Sequence, residues 1–178
     1  MAGPLLLVIG VQERLFNVMD AERRDDMVAN IKILVTAARR LGIPMLVIEQ
    51  YPKGLGRTLP EVKTLLDGVT PLETTAFSCC GADGFTERLK TTGADRVILV
   101  GLEAHVCVLL TALDLLRASM PVEIVADGVC SRRVANLTIG LEQARQAGAV
   151  ITSTETVVFQ WLGAADSDAF RELSKLLR

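Results

Sequence analysis

Short apolar segments alternate with segments of helical period, and this order constrains the fold more than any other feature of the sequence. Val and Ile dominate most of the apolar segments, and no polar residues alternate with them. Such segments are typical of parallel strands that helices cover on both faces. The segments predicted as strands are 5–9, 44–48, 96–100, 122–126 and 150–152.

Three of the predicted helices stop at a glycine, the residue that most readily adopts the left-handed conformation at a helix end. A fourth, apolar helix is predicted over 106–118. The order of strand, helix, glycine and strand predicts a three-layer α/β fold, in which helices cover both faces of a doubly wound sheet of about six mainly parallel strands. The three helices and their glycines are 25–41 with Gly42, 85–92 with Gly93, and 137–147 with Gly148.

The composition limits the number of domains and the class of partner. A chain of 178 residues, 50% of them hydrophobic, can bury one sizeable core, and no linker divides it, so residues 1–178 are predicted to form a single domain. The net charge of −2 and the mixed distribution of acids and bases provide no basic face, so nucleic acid is not an expected partner. The apolar segment 5–9 is too short for a signal peptide or a membrane span, which predicts a cytoplasmic protein with no membrane partner.

The sequence predicts neither a metal site nor a cofactor. His105 is the only histidine, and the four cysteines lack the spacing of zinc ligands. Two of the cysteines are adjacent, and an α/β protein of the cytosol usually keeps its thiols reduced, so free thiols are expected. No glycine-rich nucleotide motif follows a strand.

Cys107 is the main candidate for chemistry because it stands where the strand 96–100 leads into an apolar helix. Ligands of doubly wound sheets bind beyond the carboxyl ends of the strands, where Gly10, Glu49 and Gln50 are also expected. The helix N-terminus is expected to lower the pKa of the thiol, which would make Cys107 the most reactive of the four cysteines. The alternative is a small buried hydrophobic residue, a common role of free cysteine.

The neighbouring polar and aromatic residues allow two interpretations each. His105 precedes the thiol by two residues and could act as its base, or it could be a surface imidazole. Gln50 and Tyr51 could line a pocket for a small molecule, or they could only face solvent. Cys79 and Cys80 are interpreted as mainly structural, because at most one of two neighbours can point into a pocket.

Five motifs give the sequence a family resemblance over nearly its whole length. They are LLLVIGVQERLF at 5–16, EQYPKGLGRTLPEV at 49–62, ETTAFSC at 73–79, VGLEAHVCVLLTALDLL at 100–116 and TSTETVVFQWLG at 152–163. With these motifs the chain resembles the isochorismatase-like cysteine hydrolases. The resemblance implies a six-stranded parallel sheet and a catalytic triad of a cysteine nucleophile, an aspartate base and a lysine.

The resemblance also implies where the parts of the active site lie. Cys107 corresponds to the nucleophile, a cis peptide is expected at Glu103–Ala104, and backbone N–H groups near Ala104 and Cys107 are expected to form an oxyanion hole. The residues expected to surround a small-molecule substrate are Gln12, Phe16, Gln50, Tyr51, Phe77 and His105.

The other two triad positions depart from the family pattern. Gly10 occupies the position of the aspartate, and Thr74 occupies the position of the lysine. The histidines that bind metal in the nicotinamidase branch are also missing. The sequence therefore predicts a protein whose ancestral activity is cysteine-mediated hydrolysis of a small amide, ester or vinyl ether, with reduced catalytic competence. The alternative is a non-catalytic homologue that binds a small molecule or acts as an oligomeric scaffold.

Self-association is expected for two reasons. Phe159 and Trp161 lie in an apolar stretch near the C-terminus, and aromatic residues in such stretches often anchor interfaces. The family resemblance implies dimers or larger rings. A homo-oligomer is therefore predicted.

Overall fold

The computed structural model describes residues 3–177 and contains a six-stranded, fully parallel sheet. The strand order is β3-β2-β1-β4-β5-β6, which confirms the predicted doubly wound α/β fold. Among the described residues, no helix is both long and apolar enough to cross a lipid bilayer. The strands are β1 (Pro4–Ile9), β2 (Met45–Gln50), β3 (Leu72–Thr74), β4 (Arg96–Leu102), β5 (Val122–Cys130) and β6 (Val150–Thr152).

Helices and short helical turns connect the strands. Short turns cover Thr64–Leu66, Cys79–Gly81 and Ser174–Leu177, and a wider π-helical turn covers Ala104–Val108. The α-helices are α1 (Glu13–Asn17), α2 (Arg24–Leu41), α3 (Pro52–Leu55), α4 (Pro60–Lys63), α5 (Phe85–Thr92), α6 (Leu109–Arg117), α7 (Val134–Gln146), α8 (Thr154–Leu162) and α9 (Asp168–Leu173).

The burial of strand β1 on both faces explains why its sequence is apolar at every position. Leu5, Leu7 and Ile9 are buried in one core cluster, and Leu6 and Val8 are buried in another. Successive side chains of a strand point to opposite faces of the sheet, so both faces of β1 are covered. The helical layers therefore account for the pattern from which parallel strands were predicted.

The structure agrees with two predicted helix ends and differs from the predicted bounds of two other helices. Gly42 and Gly93 end α2 and α5 in the left-handed conformation. Helix α7 begins three residues before the predicted 137–147 and is capped by Ala147. The predicted helix 106–118 is divided into the π-helical turn and α6, because the chain leaves β4 in a wider turn that carries Cys107.

Strand β3 was not predicted. It has only three residues, and of these only Leu72 is buried, so no apolar run marks it in the sequence. It lies at the edge of the sheet beside β2 and places Thr74 next to Gln50. This strand therefore brings the substituted lysine position to the carboxyl end of the sheet.

Candidate functional site

The carboxyl ends of β1 and β4 form the centre of the candidate site. These two strands are neighbours, and the strand order reverses between them, which is where ligands bind in open α/β sheets. The strands approach closely at Gly101, where an added Cβ atom would lie 1.9 Å from the carbonyl oxygen of Ile9. Only glycine fits there, so Gly101 is needed to bring Gly10 and the turn that carries Cys107 together.

Cys107 lies in the π-helical turn and is buried, with 7% of its surface exposed. Burial raises the pKa of the thiol to about 11, and backbone hydrogen bonds at Glu103 and at Cys107 itself only partly oppose this shift. The carboxylate of Glu103 adds a further increase. The expectation of a lowered pKa was therefore wrong, because loss of solvation outweighs the favourable backbone groups.

The cis peptide lies one bond before the expected Glu103–Ala104. It joins Leu102 to Glu103, at the point where β4 ends and the turn begins. The carboxylate of buried Glu103 accepts hydrogen bonds from the backbone N–H and from Nε of Arg132, both at 3.1 Å. These bonds connect Glu103 to the segment after β5. The carbonyl oxygen of Glu103 accepts hydrogen bonds from the N–H groups of Val106 and Val108.

The ring of His105 makes its hydrogen bonds away from the thiol. Its Nδ1 lies 3.0 Å from Oγ of Ser131, and its Nε2 lies 3.4 Å from the side-chain nitrogen of Asn136. An amide nitrogen can only donate, so Nε2 accepts and Nδ1 donates to Ser131. Both ring nitrogens therefore already make hydrogen bonds, which favours a structural role for His105 over a role as the base for Cys107.

Gly10 follows β1 with a φ angle of +60°, in the left-handed region. Its backbone N–H donates to the carbonyl oxygen of Ile48 at 2.9 Å. An added Cβ atom would lie 2.9 Å from the carbonyl oxygen of Leu102 and 3.5 Å from a methyl group of Leu15. A side chain at this position would therefore have to displace backbone atoms of β4.

Thr74 lines a cavity of about 460 Å³ at the end of β3. The carbonyl oxygen of Thr74 accepts from the N–H of Tyr51 at 2.8 Å, and its hydroxyl accepts from the N–H of Ala76 at 3.0 Å. The residues that line the cavity are Tyr51, Pro52, Lys53, Glu73, Thr74, Thr75, Gly81 and Asp83.

Tyr51 is the most unusual residue of this cavity. Its φ angle is +37°, and a bulky residue rarely adopts the left-handed region outside sites that the surrounding structure strongly constrains. An added Cβ atom at Gly54 would lie 2.2 Å from the ring, so the ring packs directly on the backbone there. Tyr51 is nevertheless 52% exposed, which leaves much of the ring accessible to a ligand.

Two glutamines stabilise the loop beside the cavity. The amide nitrogen of Gln12 donates to the carbonyl oxygens of Gln50 and Gly56, at 2.9 and 2.7 Å, and its oxygen accepts from the N–H of Gln50 at 2.7 Å. The amide nitrogen of Gln50 donates to the carbonyl oxygen of Thr75 at 3.2 Å. Gln12 is fully buried, so these bonds indicate a clamp between chain segments, and a role in ligand binding stays a prediction for both residues.

Phe16 and Phe77, both expected to surround a substrate, have different surroundings in the structure. Phe16 packs against the core cluster on the other face of the sheet from Cys107, and the guanidinium of Arg24 lies 5.0 Å from the centre of its ring. Phe77 is 60% exposed in the loop after β3. Contacts of both rings with a ligand stay predictions.

Sequence reasoning missed a charged network at the rim of the site. Arg57 binds the carboxylates of Glu49 and Glu73, with 2.7 Å to Oε2 of Glu49. Glu49 also accepts from the N–H and the hydroxyl of Thr58, both at 2.8 Å. Burial alone would raise the pKa of Glu49, but the bonds from Arg57 and Thr58 lower it overall. Two acids and a basic residue after β2 were the available signal, but only the unrecognised β3 brings Glu73 beside Glu49.

Comparison with known proteins identifies the family. The model of the isochorismatase domain matches residues 4–156. The chain belongs to the isochorismatase family. It is 38% identical to isochorismatase domain-containing protein 2 of Danio rerio over 176 residues, which cover 98% of this chain and 87% of that protein.

Two solved structures share the fold of this chain. A structure of the MAR1 ribonuclease from Caenorhabditis elegans superposes with a TM-score of 0.92 and 37% identity, covering 99% of this chain and 90% of that one. An octameric hydrolase of unknown specificity from Escherichia coli superposes with a TM-score of 0.91 and 20% identity, covering 98% of this chain and 86% of that one. At that identity, the second likeness concerns the fold alone.

Proposed function

We propose that this isochorismatase family member binds a small molecule and has lost efficient hydrolysis. The main support is the environment of Cys107, a buried thiol whose pKa is raised by burial to about 11, which disfavours the reactive thiolate. Gly10 and Thr74 provide neither a base nor a cation to change this. The ancestral reaction is cysteine-mediated hydrolysis of a small amide, ester or vinyl ether.

The missing base has a second effect on turnover. A positioned general base typically contributes about two to four orders of magnitude to the rate, and triad residues act as a unit. The two residues near the thiol that could replace it are already engaged. His105 bonds to Ser131 and Asn136, and Glu103 accepts two bonds from Arg132.

The cavity at Thr74 supports the binding part of the proposal. Its volume of about 460 Å³ is within the range of small-molecule sites, and it lies at the carboxyl end of the sheet. An aromatic ring, three hydroxyl groups and charged side chains line it, which gives a ligand both apolar and polar contacts. Binding at this cavity does not require an ionised thiol.

Turnover assays test the proposal. We expect the wild-type protein and Cys107→Ala to hydrolyse an activated ester, an activated amide and a vinyl ether at the same slow rate. RNA is included because one similar protein is named a ribonuclease, although the net charge of −2 gives little attraction for a polyanion. Turnover of any of these substrates at least tenfold above the Cys107→Ala background would refute the loss of hydrolysis.

We further propose that the chain forms a homo-oligomer. Ile139 and Val134 on α7 are 53% and 42% exposed, and Phe159 on α8 is 42% exposed although its ring lies 6.2 Å from that of Phe170. Trp161, in contrast, packs against the core, so it is not the expected anchor. Sedimentation at micromolar concentration should give a mass above 19.2 kDa, and a purely monomeric species would contradict this expectation.

A further inference from the structure

The charges around the cavity at Thr74 do not balance. Arg57 is shared between Glu49 and Glu73, so one cation serves two carboxylates. Lys53 and Asp83 also line the cavity. The cavity wall itself carries one cation, Lys53, and two carboxylates, Glu73 and Asp83, and the pairing of Arg57 with Glu49 adds no net charge, so one net negative charge remains. A lysine at position 74 would cancel that charge, and Thr74 does not.

Lys53 and Asp83 are the charges available to a ligand. Within residues 3–177, neither side chain takes part in an ion pair. Glu73, the third charged residue of the lining, is already bound to Arg57. A ligand therefore meets one free cation and one free carboxylate on the walls of the same cavity.

Tyr51 adds a third recognition element. The ring is fixed from one side by its packing on Gly54, and its backbone is held by the hydrogen bond from its N–H to Thr74. An aromatic ring attracts a cation to its face, and this attraction adds to that of a nearby carboxylate. Tyr51 and Asp83 line the same cavity, and each favours a positively charged group.

We infer that the cavity binds a small zwitterion, with an ammonium group at Asp83 and Tyr51 and a carboxylate at Lys53. This inference rests on the proposed binding function and specifies its ligand class. The ammonium group contributes more than the carboxylate, because the cavity as a whole is negative. A purely anionic ligand meets repulsion from Asp83 and Glu73, the two carboxylates that line the cavity.

The test uses four probes of equal chain length: 6-aminohexanoate, hexylamine, hexanoate and hexanamide. Binding is measured by titration with two-dimensional NMR, which also identifies the amides that shift. We expect shifts in residues 51–53, 73–75 and 81–83, and affinity should fall from 6-aminohexanoate to hexylamine, hexanamide and hexanoate. Each charged contact should change affinity by about threefold to fivefold at low salt, and high salt should reduce the difference.

Variants separate the two charged contacts. Asp83→Asn should remove the advantage of hexylamine over hexanamide. Lys53→Met should remove the advantage of 6-aminohexanoate over hexylamine, without weakening hexylamine. The matched controls are Asp67→Asn and Lys63→Met, which change the same residue types in a separate cavity and should leave all four affinities unchanged.

The outcomes distinguish this inference from the proposed function. If hexanoate binds as tightly as hexylamine, if the shifts lie elsewhere, or if no probe saturates, the zwitterion inference is overturned. None of these results depends on turnover. Conversely, hydrolysis that requires Cys107 would refute the proposed loss of activity, even if the zwitterion binds as expected.

Discussion

The conformation of Gly10 predicts that a side chain there is costly, even one as small as that of alanine. A non-glycine residue in the left-handed region costs about 1–2 kcal/mol. The added Cβ atom would also lie 2.9 Å from the carbonyl oxygen of Leu102, and relief of such a contact in a packed core costs about 1–3 kcal/mol. We therefore expect Gly10→Ala to lower the free energy of unfolding by about 2–5 kcal/mol.

Gly42 provides the matched control. Its φ angle is +69°, close to the +60° of Gly10, but an added Cβ atom would meet nothing within 4 Å. Gly42→Ala should therefore show only the conformational cost of about 1–2 kcal/mol. Urea denaturation of both variants and the wild type measures the difference. If Gly10→Ala is no less stable than Gly42→Ala, the contact with Leu102 is not a constraint, and the argument against a side chain at this position fails.

Three further predictions concern catalysis, the thiols and packing. Gly10→Asp with Thr74→Lys should restore measurable ester hydrolysis above the Cys107→Ala background, at a cost in stability. Either change alone should restore much less, and equal rates in the wild type, the two single variants and the double variant would contradict this. Cys80, the only half-buried cysteine, should be alkylated before buried Cys107 in peptide mapping by mass spectrometry. A faster reaction at Cys107 would show that burial does not protect its thiol. Gly140→Ala should destabilise the protein although alanine favours helices, because the new Cβ atom would lie 2.7 Å from Cα of His105. The exposed Thr138→Ala on the same helix is the control, and a Gly140→Ala protein more stable than the wild type would refute the close packing.

The burial of Cys107 also predicts how stability depends on pH. The pKa of the thiol in the folded protein is about 11, above its ordinary value of 9.0, so the folded state holds the proton more tightly than the unfolded chain. The resulting stabilisation is complete below pH 9 and is lost as the pH rises towards 11. It amounts to roughly 2–3 kcal/mol, from about 1.4 kcal/mol for each pKa unit. Denaturation of wild type and Cys107→Ala between pH 8 and 11 should show a steeper loss in the wild type, and parallel curves would contradict a buried thiol.

The sheet could be predicted from the sequence because its central strands bury both faces. Residues 5–9 and 96–100 are apolar at every position, and this signal depends only on local composition. β3 has no such signal, because it lies at the sheet edge with one buried residue and exists only by pairing with β2. The ion pair of Arg57 with Glu73 could not be predicted for the same reason, because it depends on the pairing of β3 with β2.

The position of the candidate site was predictable, but its electrostatics were not. The strand-to-helix transition located Cys107 correctly, since it follows from the order of the elements. The pKa of the thiol depends on its burial in the core and on the nearby Glu103 carboxylate. The burial arises from contacts between segments far apart in the sequence. At Cys107 the loss of solvation outweighs the favourable backbone groups of the turn, so the pKa of the thiol is raised instead of lowered.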